Sequence, residues 1–346
     1  MRNVRVCSYP ENWAKKTGVL RSWKEYRYIA EAWGCEFFAA WIPRLSRRGC
    51  VGLGQLLGAL AYWGDSRGRT IALANIALAM GHHLTENQQR ETVKKSYQNF
   101  ATTMLSLFWS TNITEENADK YLEVSGFTEV LEQAARESRG IVFVCGHQGN
   151  WEWASIAFAF CGGQASIVTE DFKNVALTDL FARLRSRGIH RVLKQDRSVL
   201  RMLKAVLKGE HVALLGDLNL DPCGAAVVLK SFEHEGSALE MCSTRLHSIM
   251  TKRGNALLVP ALTEPLPNGK VRVMVQRPIE APEATERGLA QLSWDVFEKH
   301  IKERPDLWLW AYKHFRLKPQ QAARDYPFYA EPNAEFEKMR SEPFRN

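Results

Sequence analysis

The sequence lacks the cysteine patterns that hold small proteins together. Its seven cysteines are an odd number, and no two of them form a C-x-x-C pair. These features argue against a disulfide framework and against zinc-finger or zinc-ribbon sites. H-E-x-x-H and G-x-S-x-G are also absent, so neither a zinc protease nor a serine hydrolase is indicated. We therefore expect a reducing compartment and chemistry without a metal or a serine nucleophile.

Long apolar runs are missing as well. A membrane-spanning helix needs about 18 consecutive apolar residues, but residues 29–42 include Glu31 and Glu36, and residues 51–63 are too few. The N-terminus has no apolar stretch before a small-residue cleavage site, so a signal peptide is not predicted. Both segments are expected to be helices that either pack in the core or lie in a membrane surface. Seven basic residues among the first 27 favour the membrane surface.

The length and the basic charge of the chain limit its domain organisation and its possible partners. With 346 residues and 45% hydrophobic content, it can fold as one large or two modest domains. Its formal net charge of +8 favours anionic partners such as membrane phospholipid, an acidic protein or nucleic acid. No zinc finger, helix-turn-helix or RNP pattern accompanies this charge, so a nucleic-acid-binding function has only the charge to support it.

The pattern of apolar residues changes near residue 140. From residue 20 to about 135 the spacing is helical, and Thr85 with Gln88 has the form of a capping box. After residue 140, short apolar runs alternate with amphipathic stretches. The predicted fold class is α/β: a helical N-terminal part followed by a mostly parallel sheet flanked by helices. Predicted strands cover residues 141–145, 166–169, 211–215, 226–229, 256–262 and 271–276, and predicted helices cover 175–188, 196–210 and 285–303.

The stretch "VFVCGHQGNWEWASIAF" places His147 after a predicted strand and before a predicted helix. Ligands bind at this edge of open α/β sheets. We expect Asn150 to cap the helix and Gly149 to let a substrate carbonyl approach closely. Glu152, in the first turn, is placed to hold one nitrogen of His147 and leave the other free as a base. Beside a helix N-terminus, such a base suits acyl transfer to a hydroxyl. A purely structural histidine is the alternative that spacing alone leaves open.

The histidine motif is one of four informative segments that follow one another along residues 60–318. They are "RGRTIALANIALAMGHHLTENQQR", "HQGNWE", "LKGEHVALLGDLNLDPCGAAV" and "DLWLWAYKHFRLKP". The second has the form H-x4-E, and the first contains a segment of the form N-L/I-x-x-A-F/M. Together they resemble the bacterial lipid A biosynthesis acyltransferase family, the lauroyl and myristoyl transferases of the lysophospholipid acyltransferase superfamily.

The resemblance implies a glycerolipid-acyltransferase-like fold and a specific reaction. His147 is expected to act as the general base when a lipid or glycolipid hydroxyl attacks a thioester of acyl carrier protein or coenzyme A. No cofactor, metal or acyl-enzyme is expected. Glu152 is the family's usual partner for the histidine. Asp217, in "LLGDLN", is the rival, because the distant mycobacterial mannoside acyltransferases carry an orienting carboxylate at about this place.

Basic residues are expected to bind the substrates. The resemblance assigns Lys173, Arg183 and Arg185 to the acceptor or its phosphate. Gly149 and Asn150 of the histidine motif are further candidate substrate-binding residues. Arg187 lies on the same helical face as Arg183. A second basic stripe suits an acidic carrier protein or anionic lipid, although a solvated helix face explains both stripes equally well. This second stripe consists of Arg197, Arg201, Lys204 and Lys208.

These expectations divide the chain into three parts. Residues 1–135 are predicted to be a helical, membrane-associating region, 136–318 the α/β acyltransferase core, and 319–346 a C-terminal tail. The expected location is the cytoplasmic face of the bacterial inner membrane, with peripheral or monotopic attachment. Expected partners are acyl carrier protein or acyl-coenzyme A and anionic membrane lipid, but not nucleic acid or metal.

The chain departs from the family pattern in places that concern the acceptor. "TEDFKN" puts Glu170 where the family has an arginine, "DLN" replaces Asp-Gln, and "SFEHEGSALE" carries three glutamates. A charge reversal of this kind weakens a basic clamp for phosphate. The acceptor is therefore left open among a lipid A precursor, an ornithine lipid, a glycolipid and a lysophospholipid. A non-catalytic relative that binds lipid or carrier protein is the main alternative to an enzyme.

Overall fold

The structure is a computed structural model that describes residues 23–344 except 169–172, 187–188 and 194–197. Its N-terminal helices begin at capping side chains: Ser46 and Asp65 each accept a hydrogen bond from a first-turn N–H group. Thr85 and Gln88 form the predicted capping box. The helices are α1 (Trp23–Trp41), α2 (Arg47–Gly64), α3 (Ser66–Met80), α4 (Glu86–Trp109), α5 (Phe127–Glu137), α6 (Glu152–Phe160), α7 (Val175–Ser186), α8 (Ser198–Val206), α9 (Leu246–Gly254), α10 (Glu286–Glu303) and α11 (Ala334–Arg340).

A mostly parallel sheet forms the centre of the protein. It has seven strands in the order β1-β9-β8-β2-β5-β3-β4, and only the β8–β9 pair is antiparallel. A separate antiparallel hairpin, β6–β7, and a short β10–β11 pair complete the described strands. The strands are β1 (Leu122–Ser125), β2 (Ile141–Cys145), β3 (Ala165–Val168), β4 (Arg191–Leu193), β5 (His211–Leu215), β6 (Ala226–His234), β7 (Ser237–Thr244), β8 (Leu257–Pro265), β9 (Val271–Val275), β10 (Leu317–Lys318) and β11 (Glu331–Pro332).

Both faces of the sheet are covered, which explains the continuous apolar runs of its strands. In β2, Val142 and Val144 face a core that includes residues of α8, α9 and α10. Ile141 and Phe143 face the opposite core, which includes residues of α4, α5 and α6. Because neither face meets water, the strand shows no polar alternation. The predicted α/β class, with N-terminal helices before a mostly parallel sheet, is confirmed.

Some elements differ from the prediction. The short strand β1 lies inside the region predicted to be helical, where it pairs with β9 at the sheet edge. Residues 226–229 belong to the β6–β7 hairpin rather than to the main sheet. Glu170, Arg187 and Arg197, together with the basic residues that precede Trp23, lie outside the described residues. The strands predicted at 141–145 and 211–215 match β2 and β5 residue for residue.

Helices α2 and α4 cross at very short range. A Cβ atom on Gly58 would lie 2.3 Å from the Cα of Gln98, and one on Gly54 would lie 2.5 Å from the hydroxyl oxygen of Thr102. The small residues of α2 therefore face the protein. Of its large apolar residues Tyr62 is buried, but Leu56, Leu60 and Trp63 point outward, and 70% of the Trp63 surface is exposed. This is the reverse of an ordinary amphipathic surface helix.

The C-terminal tail packs against the core instead of extending from it. Phe336 of α11 is fully buried. The buried side chain of Arg287, in α10, donates hydrogen bonds to the carbonyl oxygens of Val228 and Arg340. Its guanidinium lies 3.9 Å from the ring centroid of Phe344. The tail thus joins α10 to the β6–β7 hairpin.

Candidate active site

His147 and Asp217 meet at one edge of the sheet. His147 follows β2 and Asp217 follows β5, and these strands are parallel neighbours. The carboxyl ends of parallel neighbours lie at the same edge, where ligands bind in folds of this class. The Nδ1 atom of His147 is 2.7 Å from Oδ1 of Asp217. The sequence therefore placed both groups correctly but left their contact undecided.

The contact with Asp217 fixes the tautomer of His147. A carboxylate only accepts hydrogen bonds, so Nδ1 of His147 must carry a proton, and in the neutral imidazole Nε2 then keeps its lone pair. The other carboxylate oxygen accepts hydrogen bonds from the backbone N–H of His147, at 2.8 Å, and from the indole N–H of Trp308, at 2.9 Å. The imidazole is thus held in the form that a general base requires.

Asp217 is completely buried, yet it is held as a carboxylate. Burial by itself raises the pKa of a carboxyl group. The adjacent His147, the hydrogen bonds from His147 and Trp308, and the nearby His314 outweigh burial and hold the pKa of Asp217 below its ordinary value. The charge that orients His147 is therefore maintained without contact with water.

Trp308 reaches Asp217 from a distant part of the chain. Its backbone bridges to Gln148, and the carbonyl of Leu307 accepts a hydrogen bond from the backbone N–H of Gly149 at 3.1 Å. The Trp308 ring stacks on His314 with a centroid distance of 3.9 Å. Trp308 was not a candidate at the sequence level, although the "DLWLWAYKHFRLKP" segment that carries it was part of the resemblance.

Glu152 does not contact His147 in the way that we expected. Both of its carboxylate oxygens accept hydrogen bonds from Arg185, at 2.9 Å and 2.6 Å. Burial alone would lower the pKa of Arg185, but Glu152 outweighs it and raises that pKa above the ordinary value. The expected hydrogen bond, in which Glu152 would accept from His147, is thus replaced by a largely buried, bidentate ion pair that joins α6 to α7.

The structure also corrects the role of Gly149 in substrate approach and the role of Asn150 as a helix cap. Gly149 is buried with a φ of +55°, and a Cβ there would lie 2.0 Å from the carbonyl oxygen of Thr263. Its missing side chain makes room for β8 and not for a substrate. Asn150 does not cap α6, because the N-cap position is Trp151 and no side chain caps this helix.

Two of the predicted basic residues lie away from the dyad. Arg183 donates to Glu36 of α1 at 3.1 Å and remains 58% exposed. Lys173 is exposed, two residues before α7, and does not line the cavity described next. Among the predicted basic residues that the structure describes, only Arg185 reaches the site. No cluster of three metal-ligating side chains is found in the described residues.

A cavity of about 240 Å³ opens beside His147. It extends along the sheet from the carboxyl end of β2 to Ala165, the first residue of β3. His147, Trp151 and the Glu152–Arg185 pair supply its polar and aromatic rim. The remaining walls are mostly apolar and come from Phe127, Phe143, Cys145, Ala154, Ser155, Phe158, Ile167, Val168, His190, Ala213, Leu214, Leu215 and Ala261.

Comparison with known proteins identifies the family. The family model described as bacterial lipid A biosynthesis acyltransferase matches residues 16–317, which is most of the chain. The chain belongs to this family. The acyltransferase class predicted from the sequence is therefore confirmed.

Individual relatives within the family are distant but cover most of their length. The lipid A biosynthesis lauroyltransferase of Escherichia coli (strain K12) is 25% identical over 292 residues, or 82% of this chain and 89% of that protein. The palmitoleoyltransferase of the same organism is 23% identical over 274 residues, or 77% of this chain and 85% of that protein. A lipid A biosynthesis acyltransferase of Shigella flexneri has the same values.

Proposed function

We propose that this acyltransferase moves a fatty acyl chain from a thioester donor to a hydroxyl group of a lipid or glycolipid. The arrangement that carries the proposal is the oriented His147–Asp217 dyad at the opening of an apolar cavity. The dyad supplies a base, and the cavity supplies a place for a hydrocarbon chain. Acyl carrier protein and coenzyme A are the proposed donor carriers.

The chemistry follows from the tautomer of His147. Nε2 removes the proton of the acceptor hydroxyl while the oxygen forms a bond to the thioester carbonyl carbon. The negative charge that develops on the carbonyl oxygen is stabilised by the positive end of the α6 dipole, since this helix begins five residues after His147. The C–S bond then breaks. A thiol with a pKa of about 8.5 leaves readily, and the imidazolium returns the proton to it.

The cavity suits one acyl chain. Its volume of about 240 Å³ lies below the range of about 300–1,000 Å³ in which complete drug-sized ligands bind. Its mostly apolar lining removes a hydrocarbon chain from water. The Glu152–Arg185 pair stabilises the wall that α6 and α7 form, since each charge satisfies the other inside the protein. We propose that Glu152 acts on the reaction through this wall, and Asp217 through His147.

An acyl-transfer assay on purified protein tests the reaction. Two donors are supplied in separate reactions: acyl carrier protein loaded with a labelled acyl chain, and labelled acyl-coenzyme A. Bacterial total lipid extract is the acceptor, and mass spectrometry identifies any lipid that gains a chain. We expect product with the wild type and none with His147→Ala. His82→Ala is the matched control, because His82 is exposed at the end of α3. Equal product from the wild type and His147→Ala would exclude His147 as the base.

The same assay identifies the acceptor. The relatives are named as lipid A enzymes, and we propose a lipid A precursor as the first acceptor to test. The glutamates around the β6–β7 turn and at position 170 keep an ornithine lipid, another glycolipid and a lysophospholipid as the alternatives. The product mass distinguishes these acceptors and gives the length of the transferred chain.

We further propose that α1 and α2 attach the enzyme to the membrane surface. No helix in the described ranges is long and apolar enough to cross a bilayer. Trp33 of α1 and Trp63 of α2 are 69% and 70% exposed, and Leu60 is 58% exposed. Aromatic and aliphatic groups of this kind are favoured at membrane interfaces, and Arg44 and Arg48 are exposed where α1 connects to α2.

Vesicle sedimentation tests the attachment. The paired substitution Leu60→Ser and Trp63→Ser should weaken binding to phosphatidylglycerol-containing vesicles by at least about 10-fold, since each buried side chain contributes about 1.5 kcal/mol or more. Phe328→Ser is the control, because Phe328 is equally exposed at 70% but lies in the C-terminal tail. Salt-sensitive binding to duplex DNA without vesicle binding would contradict this proposal and favour a nucleic-acid partner.

A further inference from the structure

One motif from the sequence has no part in the proposed chemistry. It is the N-L/I-x-x-A-F/M segment of α3, which runs from Asn75 to Met80. Ile76, Ala79 and Met80 are core residues, as their apolar character predicts. Asn75 is also fully buried. A buried amide is costly unless its donors and its acceptor are satisfied, so the partners of Asn75 indicate its role.

Both polar atoms of the Asn75 side chain form hydrogen bonds with distant parts of the chain. Its Nδ2 donates to the carbonyl oxygens of Trp310 and Tyr312, both at 2.8 Å. Its Oδ1 accepts a hydrogen bond from the hydroxyl of Tyr329. We call residues 307–314 the closing segment. Asn75 therefore ties the closing segment to the N-terminal helices and, through Tyr329, to the tail.

The closing segment is the part of the chain that contacts Asp217. Trp308 donates to the carboxylate at 2.9 Å, and its ring stacks on His314. Asn219, two residues after Asp217, donates to the carbonyl of His314 at 2.8 Å. The hydroxyl of Tyr312 in turn donates to the carbonyl of Asn219 at 2.9 Å. Movement of the closing segment would therefore change the hydrogen bonds around Asp217.

We propose that Asn75 is a positioning residue for acyl transfer. It fixes the closing segment so that the Trp308 indole stays bonded to the carboxylate that orients His147. This inference rests on the proposed function of the dyad. Asn75 itself touches no reacting atom. Ser96 and Asn99 of α4 also bind the closing segment, so loss of Asn75 loosens the segment without releasing it.

A double-mutant comparison separates positioning from general stability. We expect Asn75→Ala to lower kcat about 10-fold, the effect typical of groups that orient a catalytic residue, and to change KM by less than about twofold. Trp308→Phe should lower kcat at least as much. If Asn75 acts through Trp308, the double variant should be no slower than Trp308→Phe alone, because both changes remove the same interaction.

The control is another asparagine that joins two segments. The side chain of Asn112 donates to the carbonyl of Pro43 at 2.8 Å and makes no contact with the closing segment. Asn112→Ala should change thermal stability but leave kcat unchanged. If Asn75→Ala fails to fold, Tyr329→Phe replaces it, because this change removes only one of the three hydrogen bonds. Multiplicative losses in the double variant would overturn the inference.

The pH dependence provides a second readout. The Trp308 hydrogen bond is among the causes that keep the pKa of Asp217 low, so its loss should favour protonation of the coupled His147–Asp217 pair and move the acid limb of the rate profile to higher pH. The titratable groups near Asp217 are His147, His314 and Cys145. Asn75→Ala should shift the limb in the same direction as Trp308→Phe. An unshifted limb would contradict positioning through Trp308.

Hydrogen exchange tests the inference independently of activity. Amides of the closing segment should exchange faster in Asn75→Ala than in the wild type, while those of β2 keep their protection. If the wild type transfers no acyl group, the proposed function fails and exchange still decides whether Asn75 holds the segment. If the wild type is active and exchange in the closing segment is unchanged, the positioning inference alone fails.

Discussion

Replacement of Asp217 by asparagine should nearly abolish activity without changing the shape of the site. One carboxylate oxygen accepts two N–H groups, from the His147 backbone and from Trp308. In Asp217→Asn these two donors hold the amide oxygen in that position. The amide nitrogen must then face Nδ1 of His147 at the 2.7 Å contact. It donates a hydrogen bond there, so the proton of the imidazole moves to Nε2.

The magnitude follows from this change of tautomer. With Nε2 protonated, His147 has no lone pair for the acceptor hydroxyl. The equivalent substitution in an Asp-oriented histidine of serine proteases lowers kcat by about 10⁴-fold, which corresponds to about 5.5 kcal/mol at about 1.36 kcal/mol per decade. We expect a loss of that order in kcat. KM should change little, because Asp217 is buried and does not line the cavity.

Steady-state acyl transfer with the identified donor measures this effect. Asp221→Asn is the matched control, since Asp221 lies four residues further on, is 85% exposed and pairs with Arg316 on the surface. It should retain wild-type kcat. The reasoning is refuted if Asp217→Asn keeps more than a tenth of the wild-type kcat while Glu152→Gln loses activity. Glu152 would then be the group that supports the base.

Two further predictions concern stability. Gly58→Ala should lower the free energy of unfolding by about 1–3 kcal/mol, because its Cβ would meet the α4 backbone at 2.3 Å. The control is Gly52→Ala, in open space on the same helix, which should raise the free energy of unfolding by up to about 1 kcal/mol. Urea titration measures both variants. Burial lowers the pKa of His247 to about 4, below the ordinary value of about 6.5. As the pH falls below 6.5 the unfolded chain binds a proton that the folded protein does not, so the wild type should lose about 2 kcal/mol between pH 7 and pH 5 that His247→Leu does not lose. An equal loss in both proteins would contradict this assignment.

The sequence predicted the positions of functional groups better than their contacts. The apolar runs of β2 and β5 stand out in the sequence, although only β2 is buried on both faces and Val212 is the one fully buried residue of β5. Because these strands are parallel neighbours, the two runs place His147 and Asp217 at the same sheet edge. Choosing between Glu152 and Asp217 required side-chain directions. Glu152 is near His147 in the chain, but Arg185, 33 residues away, takes both of its oxygens. Proximity in sequence therefore favoured the wrong partner.

Other features depend on long-range contacts that no local pattern encodes. β1 has four residues, and only the first of them, Leu122, is buried, so its strand character comes from pairing with β9. From the sequence, Gly149 is expected to leave space for a substrate, but in the structure the carbonyl of Thr263 occupies that space. From the sequence, Trp308 cannot be distinguished from an ordinary core tryptophan, because only the fold brings its indole N–H to Asp217.

The partners of Asn75 are synthesised long after Asn75 itself. Asn75 precedes the Trp310 carbonyl that it binds by 235 residues. Chains are made from the N-terminus, and parts made early begin to fold first. Helix α3 thus leaves the ribosome with a polar group that has no protein partner until the closing segment is translated. Because the same segment brings Trp308 to Asp217, the histidine motif is synthesised long before the contacts that hold His147 can be completed.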